Sequence, residues 1–259
     1  MPFEQEIEWA RRAAERAAEL ALDYQKKGVR AEIKPDDSPV TIADKECERL
    51  IAGILEERFP DDGVLGEEGS RKESRSGRRW IIDPIDGTRD FLRRNPLWSV
   101  LIALEDRGEV MAGVVHLPAL GATCWGSRGG GAFRNDARLR VSEIDRAESA
   151  VISVNNLNRI AAMKFSRGLI DWASRFWAFR SLGGTPDAMM VASGEMDAWI
   201  EPKVAEWDLA AVQVILEEAG ALFFDFAGKR TIYGGNAIAC TPGLQGELRA
   251  FFGIRMTGF

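Results

Sequence analysis

Three observations place this chain in the mixed α/β class, with α-helices layered against two β-sheets in two closely packed halves. Two amphipathic helical stretches open the chain, a run of β-rich segments follows from Ser99 to about Phe133, and strand-type and helix-type patterns alternate after about residue 142. The 259 residues suit one large domain or two joined ones. No Pro/Gly/Ser-rich linker, repeat or low-complexity tract separates the halves. Residues 1–142 and 143–259 are therefore expected to form one unit, the second half completing a site begun by the first.

The elements read in order. Phe3, Ile7, Ala10, Ala14, Ala17 and Leu20-Ala21 recur near helical spacing, so Pro2 to Lys27 is predicted as a helix stopped by Gly28. Lys34 to Pro39 is a loop by composition. A second helix is predicted from Ile42 to Phe59, with Cys47, Leu50-Ile51 and Ile54-Leu55 as its buried stripe and Pro60 as its stop. Val64 to Glu67 is a short strand, Arg71 to Arg79 a charged surface loop, and Trp80 to Asp83 a buried strand ending at Pro84. Ser99–Glu105 and Val110–Val115 flank the turn Asp106-Arg107-Gly108, and two short strands follow near Thr123–Trp125 and Gly131–Phe133. The second half reads as strand 150–154, helix 160–175, strand 179–182, helix 187–193, strand 196–200, helix 206–219 and strands 221–226 and 237–240. A last helix begins near Pro242 with Thr241 as its cap.

Composition excludes several functions. Acidic residues number 40 against 34 basic, a formal net charge of −6, which disfavours nucleic acid and anionic membrane as partners. No run approaches the ~18 apolar residues of a membrane span. No basic segment precedes an apolar one at the N-terminus, so a cytoplasmic location is the expectation. The three cysteines, Cys47, Cys124 and Cys240, have no zinc-ligand spacing and read as buried hydrophobes. The single histidine, His116, lies in an apolar run and is expected to pack; with one histidine, any metal must be held mainly by oxygen. Trp172, Phe176 and Trp177 read as core or as a dimer surface.

Four segments set carboxylates where surface charge does not explain them. In Trp80-Ile-Ile-Asp83-Pro84-Ile85-Asp86-Gly87-Thr88 an apolar strand delivers Asp83, and a proline turn delivers Asp86 to the same place. The Gly87 and Thr88 amides that follow suit a phosphate. Gly66-Glu67-Glu68-Gly69 pairs two acids at a strand end. Thr41-x-x-Asp44 has the spacing of a capping box. Glu206-Trp207-Asp208 opens an apolar helix, where acids also favour the helix dipole. Each has a local explanation, but their joint occurrence makes an all-oxygen site suited to Mg²⁺ or Mn²⁺.

These residues resemble the inositol monophosphatase superfamily of Mg²⁺-dependent, often lithium-sensitive phosphatases, over nearly the whole chain. Asp83-Pro84-Ile85-Asp86-Gly87-Thr88 matches its most specific motif. Gly66-Glu67-Glu68, Trp207-Asp208-Leu209-Ala210-Ala211 and Ser38-Pro39-Val40-Thr41-x-x-Asp44 match three others in the expected order. The resemblance implies an αβαβα layered sandwich with two sheets, and a homodimer. It implies Glu67, Asp83 and the Ile85 carbonyl as ligands of a first Mg²⁺, and Asp83, Asp86 and Asp208 of a second, with a third, weaker ion near Glu67. Thr88 and Asp44 would orient and deprotonate the attacking water, and Asp86, Gly87 and Thr88 would hold phosphate.

The resemblance further implies a small-molecule phosphate ester as substrate, contacted by Glu201, Gly184, Thr185 and Asp208. The surroundings of Glu67, Trp98 and Asp208 are most similar to the histidinol-phosphate phosphatase branch. That branch commonly has Gly-Asp where this chain has Gly183-Gly184, and Asp187 one turn later is either a substitute acid or a helix-start residue. Inositol monophosphate is the alternative substrate, followed by broad sugar or nucleotide phosphate esters. A noncatalytic, partner-binding role is the alternative of a different class. Arg71 to Arg79 could also close over the metals as a lid.

Overall fold

The computed structural model describes residues 1–35 and 39–255; Ser38 of the upstream motif and its neighbours Asp36 and Asp37 lie outside the described residues. A seam of small side chains starts the fold. Helix α1 (Glu4–Lys27) buries Ile7 and the alanines 10, 13, 14, 17, 18 and 21, and ends at Gly28 in a left-handed turn (φ 81°). A short hairpin, β1 (Ala31–Ile33) with β2 (Pro39–Thr41), leads into helix α2 (Ile42–Arg58). The alanine face lets α2 approach closely, and the Cys47 thiol donates to the Ala17 carbonyl at 3.2 Å.

The strands β3 (Gly63–Gly66), β4 (Arg71–Lys72) and β5 (Arg78–Asp86) are followed by the short helix α3 (Thr88–Leu92). Five more strands then form a meander: β6 (Ser99–Asp106), β7 (Glu109–Leu117), β8 (Ala122–Ser127), β9 (Gly131–Arg134) and β10 (Ala137–Arg138). Together they make an eight-stranded sheet in the order β10-β9-β8-β7-β6-β5-β3-β4. Every pairing in it is antiparallel except β3 with β5.

Beyond it come β11 (Val151–Val154), α4 (Leu157–Ile160), α5 (Leu169–Ala173), β12 (Ala178–Arg180), α6 (Thr185–Ala192) and β13 (Ala198–Glu201). Helix α7 (Glu206–Ala219), β14 (Leu222–Phe224), β15 (Ala237–Cys240) and α8 (Gln245–Phe252) complete the described chain. The second sheet has five strands in the order β12-β11-β13-β15-β14.

Three apolar clusters join the layers. Helices α1 and α2 pack on one face of the large sheet through Ile51, Leu55, Ile82 and Ile102. Helices α6 and α7 lie between the two sheets, against Leu101 and Val115 on one side and Trp199 and Ala239 on the other. The far face of the small sheet is covered by α4, α5 and α8 through Ile160, Trp172 and Leu248. The result is the αβαβα sandwich that the sequence leads one to expect. Helix α7 is buried almost all round, from Leu209 to Leu216, as a helix between two sheets must be.

Several local expectations are corrected. Arg71–Arg79 is not a free loop: it supplies β4 and the start of β5, with Arg78 bonded to Asp62 and Glu6 and Arg79 to Glu105. Its charge disguised an edge strand, where charge is common. Strand β5 does not stop at Pro84 but continues to Asp86, its pairing with β6 shifting between Asp83 and Asp86. Proline lacks the N–H for the ladder, so pairing breaks while the chain stays extended.

The helix expected over 160–175 is broken into α4, a 3₁₀ turn at Ser166–Gly168 and α5. Ser166 and Gly168 are poor helix-interior residues. Trp172 and Phe176 are core, whereas Trp177 is 75% exposed. Thr241 does not cap the last helix; its hydroxyl donates to the Ile144 carbonyl at 2.9 Å, and a 3₁₀ turn at Pro242–Leu244 precedes α8.

The intersheet layer depends on close approach of β7 to α7. A Cβ at Gly113 would stand 2.7 Å from Val214 Cγ1 and 2.8 Å from Ala211 Cα. Gly113→Ala is therefore expected to cost about 1–3 kcal/mol of stability as an overpacked core site. A denaturant titration checks it, and an unchanged midpoint would show that the layers part freely.

Candidate active site

The only parallel pairing in the large sheet among the described residues builds the centre of the site. Gly66 pairs with Ile82, and the Glu67 N–H continues the ladder to the Ile82 carbonyl at 3.1 Å. Glu67, just past the end of β3, thus comes beside Asp83, which is 1% exposed. Asp83 Oδ1 accepts the Ile85 N–H at 3.0 Å, fixing the turn around Pro84. One step on, Asp86 Oδ2 accepts the Ser99 hydroxyl at 3.1 Å. From the intersheet layer, α7 brings Asp208 in its first turn, with Oδ2 accepting the Ala205 N–H at 2.7 Å. One carboxylate oxygen each from Asp83, Asp86 and Asp208 lie within 4.8 Å of one another.

Gly87 turns the chain into α3 in the left-handed region (φ 86°), and a Cβ there would sit 3.0 Å from the Leu97 carbonyl oxygen. Thr88 follows. Its Oγ1 lies 3.2 Å from the Ile85 carbonyl and 3.3 Å from Asp44 Oδ1, so one proton is shared between two acceptors. Asp44 meanwhile closes the capping box of α2. Its Oδ2 accepts the Thr41 N–H at 2.7 Å and the Thr41 hydroxyl at 2.6 Å, while Thr41 Oγ1 accepts the Ala43 N–H at 3.0 Å. Capping and facing Thr88 use different oxygens of one carboxylate.

Burial and crowding push every acid here upward. Desolvation raises Asp83 well above the usual carboxylate range, reinforced by the charges of Glu67, Asp86 and Asp208. Desolvation and then the Asp86 charge push Asp208 up to about 7. Asp86 is raised by burial, with bonds from Thr185 and Ser99 opposing. Glu67 and Asp44 are raised by burial as well. Glu201, 2% exposed at the end of β13, is pushed up to about 8 by burial and by Asp208 and Asp86 beyond the bond it accepts from Asn156. An all-oxygen donor set whose members repel one another is suited to a hard divalent cation.

The structure therefore brings together Asp44, Glu67, Asp83, Ile85, Asp86, Gly87, Thr88 and Asp208, with Gly184 and Thr185 against Asp86 and Glu201 close by. His116 is elsewhere, its Nδ1 2.9 Å from the Thr123 hydroxyl. Asp187 is fully buried: it accepts from the Ser153 hydroxyl and from the N–H groups of Leu182 and Gly183 at 3.2 and 3.3 Å. It fixes the loop before α6 and does not open to the pocket.

Two residues escaped sequence reasoning. Lys34 Nζ lies 2.8 Å from Glu67 and 2.6 Å from Glu68. Nothing in its loop marks it. Glu48 accepts the N–H groups of Glu68 and Ser70 at 2.6 and 2.7 Å, holding the turn that carries Glu67. Its signal was present, because it shares the buried face of α2 with Cys47, Ile51 and Leu55.

The fold and site together define a layered α/β protein with a buried carboxylate centre at the junction of its two sheets. The model of the inositol monophosphatase family matches residues 3–252, and the chain belongs to that family. It is 37% identical over 252 residues to a histidinol-phosphatase of Chlorobaculum parvum, covering 93% of this chain and 94% of the relative. It is 34% identical to an inositol-1-monophosphatase of Mesorhizobium japonicum, covering 88% of each. Among solved structures, an IMPase of Thermotoga maritima matches with a TM-score of 0.87 at 31% identity, covering 96% of this chain and 97% of that one. The chain is a phosphoric monoester hydrolase.

A carboxyl with a higher pKa in the folded chain than in the unfolded one binds extra protons when folded. That contribution to stability is fully present below the unfolded value of about pH 4, falls as pH rises between the two values and is gone once pH has passed the folded one. With Asp208 near 7 and Glu201 near 8, the metal-free protein is expected to lose thermal stability from pH 6 to pH 8.5. Mg²⁺ is expected to raise Tm more at the higher pH. A Tm scan with EDTA or Mg²⁺ checks both signs, and Asp208→Asn should flatten the metal-free decline.

Proposed function

We propose that this chain is a Mg²⁺-dependent phosphomonoesterase that hydrolyses a small-molecule phosphate ester with an activated water, histidinol phosphate foremost. The observation that carries the reading is the Thr88–Asp44 pair set against the Asp83, Asp86 and Asp208 oxygens. Asp83, Asp86 and Asp208 would hold one cation, and Glu67, Asp83 and the Ile85 carbonyl another. When bound, such ions supply Lewis acidity, lowering the pKa of water and neutralising charge on the leaving oxygen. Two or three Mg²⁺ are proposed, with Mn²⁺ able to substitute.

The protein's own groups do the rest. Thr88 Oγ1 accepts a proton from the attacking water as it passes its own to Asp44, whose raised pKa suits a general base. The Gly87 and Thr88 amides donate to phosphate oxygens at the turn into α3. Gly184, Thr185 and Glu201 flank the organic part of the ester. The histidinol-phosphatase relatives support an amine-bearing substrate. Inositol monophosphate is a second reading, favoured by the burial of Asp187, which removes one acid from the pocket.

Asp83→Asn is expected to abolish most turnover at saturating Mg²⁺ while leaving the fold intact. Asp44→Asn should lower kcat by at least ~100-fold with little change in KM, the effect of a lost general base. Phosphate release from histidinol phosphate and inositol 1-phosphate, with Mg²⁺ and with EDTA, checks both. Equal kcat/KM on the two esters would indicate a broad phosphomonoesterase, and release unaffected by EDTA would refute the metal scheme.

A further inference from the structure

We propose that Asp90 is a specificity-determining residue, the carboxylate that selects phosphate esters carrying a cationic amine; the inference rests on the phosphatase reading above. Asp90 sits on α3, two residues past Thr88, on the turn that would carry the phosphate. Its Oδ1 is fixed by the Asn95 side-chain amide at 2.7 Å. Asn95 is itself tied down, its N–H donating to the Asp90 carbonyl at 2.9 Å and its Oδ1 accepting the Leu97 N–H at 3.1 Å. The carboxylate is therefore held in one orientation before any ligand arrives.

That orientation presents Oδ2 to the loop before α6. A Cβ at Gly183 would lie 3.8 Å from Asp90 Oδ2, and a Cβ at Gly184 would lie 3.7 Å from Asp86 Oδ2. Two consecutive glycines thus face two carboxylates, and neither position puts a side chain beside them. Asp90 acts electrostatically on Asp86, so it belongs to the same neighbourhood as the proposed metal ligands. Glu201 acts on Asp86 and Asp208 from β13.

An ester with its phosphorus at Asp86 and Asp208 would direct its organic group between Glu201 and Asp90. A substrate ammonium there gains the Asp90 carboxylate as an ionic partner beside the Glu201 oxygens, whereas a neutral polyol gains only hydrogen bonds. Asp187 is no alternative partner for an amine: it is fully buried, and its Oδ2 holds the loop through the Ser153 hydroxyl and the Leu182 and Gly183 N–H groups. Arg89 and Arg93 temper the Asp90 charge without removing it.

The test compares wild type, Asp90→Asn and Asp90→Glu on histidinol phosphate and on glycerol 2-phosphate, which has no amine, at saturating Mg²⁺. Asp90→Asn keeps the shape and should raise KM for histidinol phosphate at least ~10-fold, as loss of one charge partner does, with glycerol 2-phosphate within about twofold of wild type. Asp90→Glu should restore part of the preference. Equal effects on both esters, no effect on either, or a wild type without preference for the amine would overturn the assignment. Wild type inert on both esters would overturn the phosphatase reading and this inference with it; turnover of glycerol 2-phosphate separates the two failures.

Discussion

The structure is organised around the cost of gathering carboxylates out of water. Asp83 and Asp44 are each 1% exposed and Glu201 2%, and Asp208 and Asp86 each bring a carboxylate oxygen within 4.8 Å of one on Asp83. Burying one unpaired carboxylate is unfavourable, and several together repel one another besides. The fold meets this with backbone N–H groups that other structure leaves free. Asp83 accepts from Ile85, Asp208 from Ala205 and Asp44 from Thr41. Asp44 and Asp208 lie in the first turn of a helix, and Asp83 lies where the β5–β6 pairing breaks at Pro84, places where backbone donors lack partners in the helix or the ladder. These bonds orient the oxygens without cancelling their charge, so the site stays ready for a cation.

That placement follows from topology. Ligands of α/β proteins gather beyond the carboxyl ends of parallel strands, and β3 and β5 are the one parallel pair in an otherwise antiparallel sheet. Both run toward the site and deliver Glu67, Asp83 and Asp86 side by side. Helix α7 must lie between the sheets to bury its apolar surface, and its N-terminus then brings Asp208 to the same place. Trp80, Ile81 and Ile82 are all but inaccessible, which fixes the strand that carries Asp83 against sliding. Core packing and site geometry are therefore one constraint.

How much of this was legible depended on whether a residue's role showed in its neighbours along the chain. Asp83 was legible because an apolar strand and a proline turn bracket it, and Asp208 because an apolar helix follows it. Lys34 was not, since its partners Glu67 and Glu68 are distant in sequence and its own loop is unpatterned. Asp90 was hidden by the arginines around it, which read as solvated surface; its meaning lies in a loop ninety-odd positions later that happens to carry glycines. The break near Ser166 was hidden by Trp172 and Phe176, whose spacing is helical although the chain between Ile160 and Leu169 is not. Thr241 looked like a cap because caps are local, yet a nonlocal acceptor, the Ile144 carbonyl, took its hydroxyl.

Asp44 shows why a local explanation of a residue need not exhaust it. Its Oδ2 satisfies the start of α2, and its Oδ1 faces Thr88. The first bond fixes the side chain rotamer that the second requires. A similar economy holds for charge over the whole chain. Acids exceed bases by 6, the number gathered here as Asp44, Glu67, Asp83, Asp86, Glu201 and Asp208. The remainder is formally neutral and is laced with ion pairs such as Arg230 with Glu109 and Glu217. The negative balance is thus a property of one pocket more than of the surface. Two or three divalent cations bound in that pocket would offset most or all of its formal charge, so a phosphate dianion could approach the ions without facing six uncompensated carboxylates.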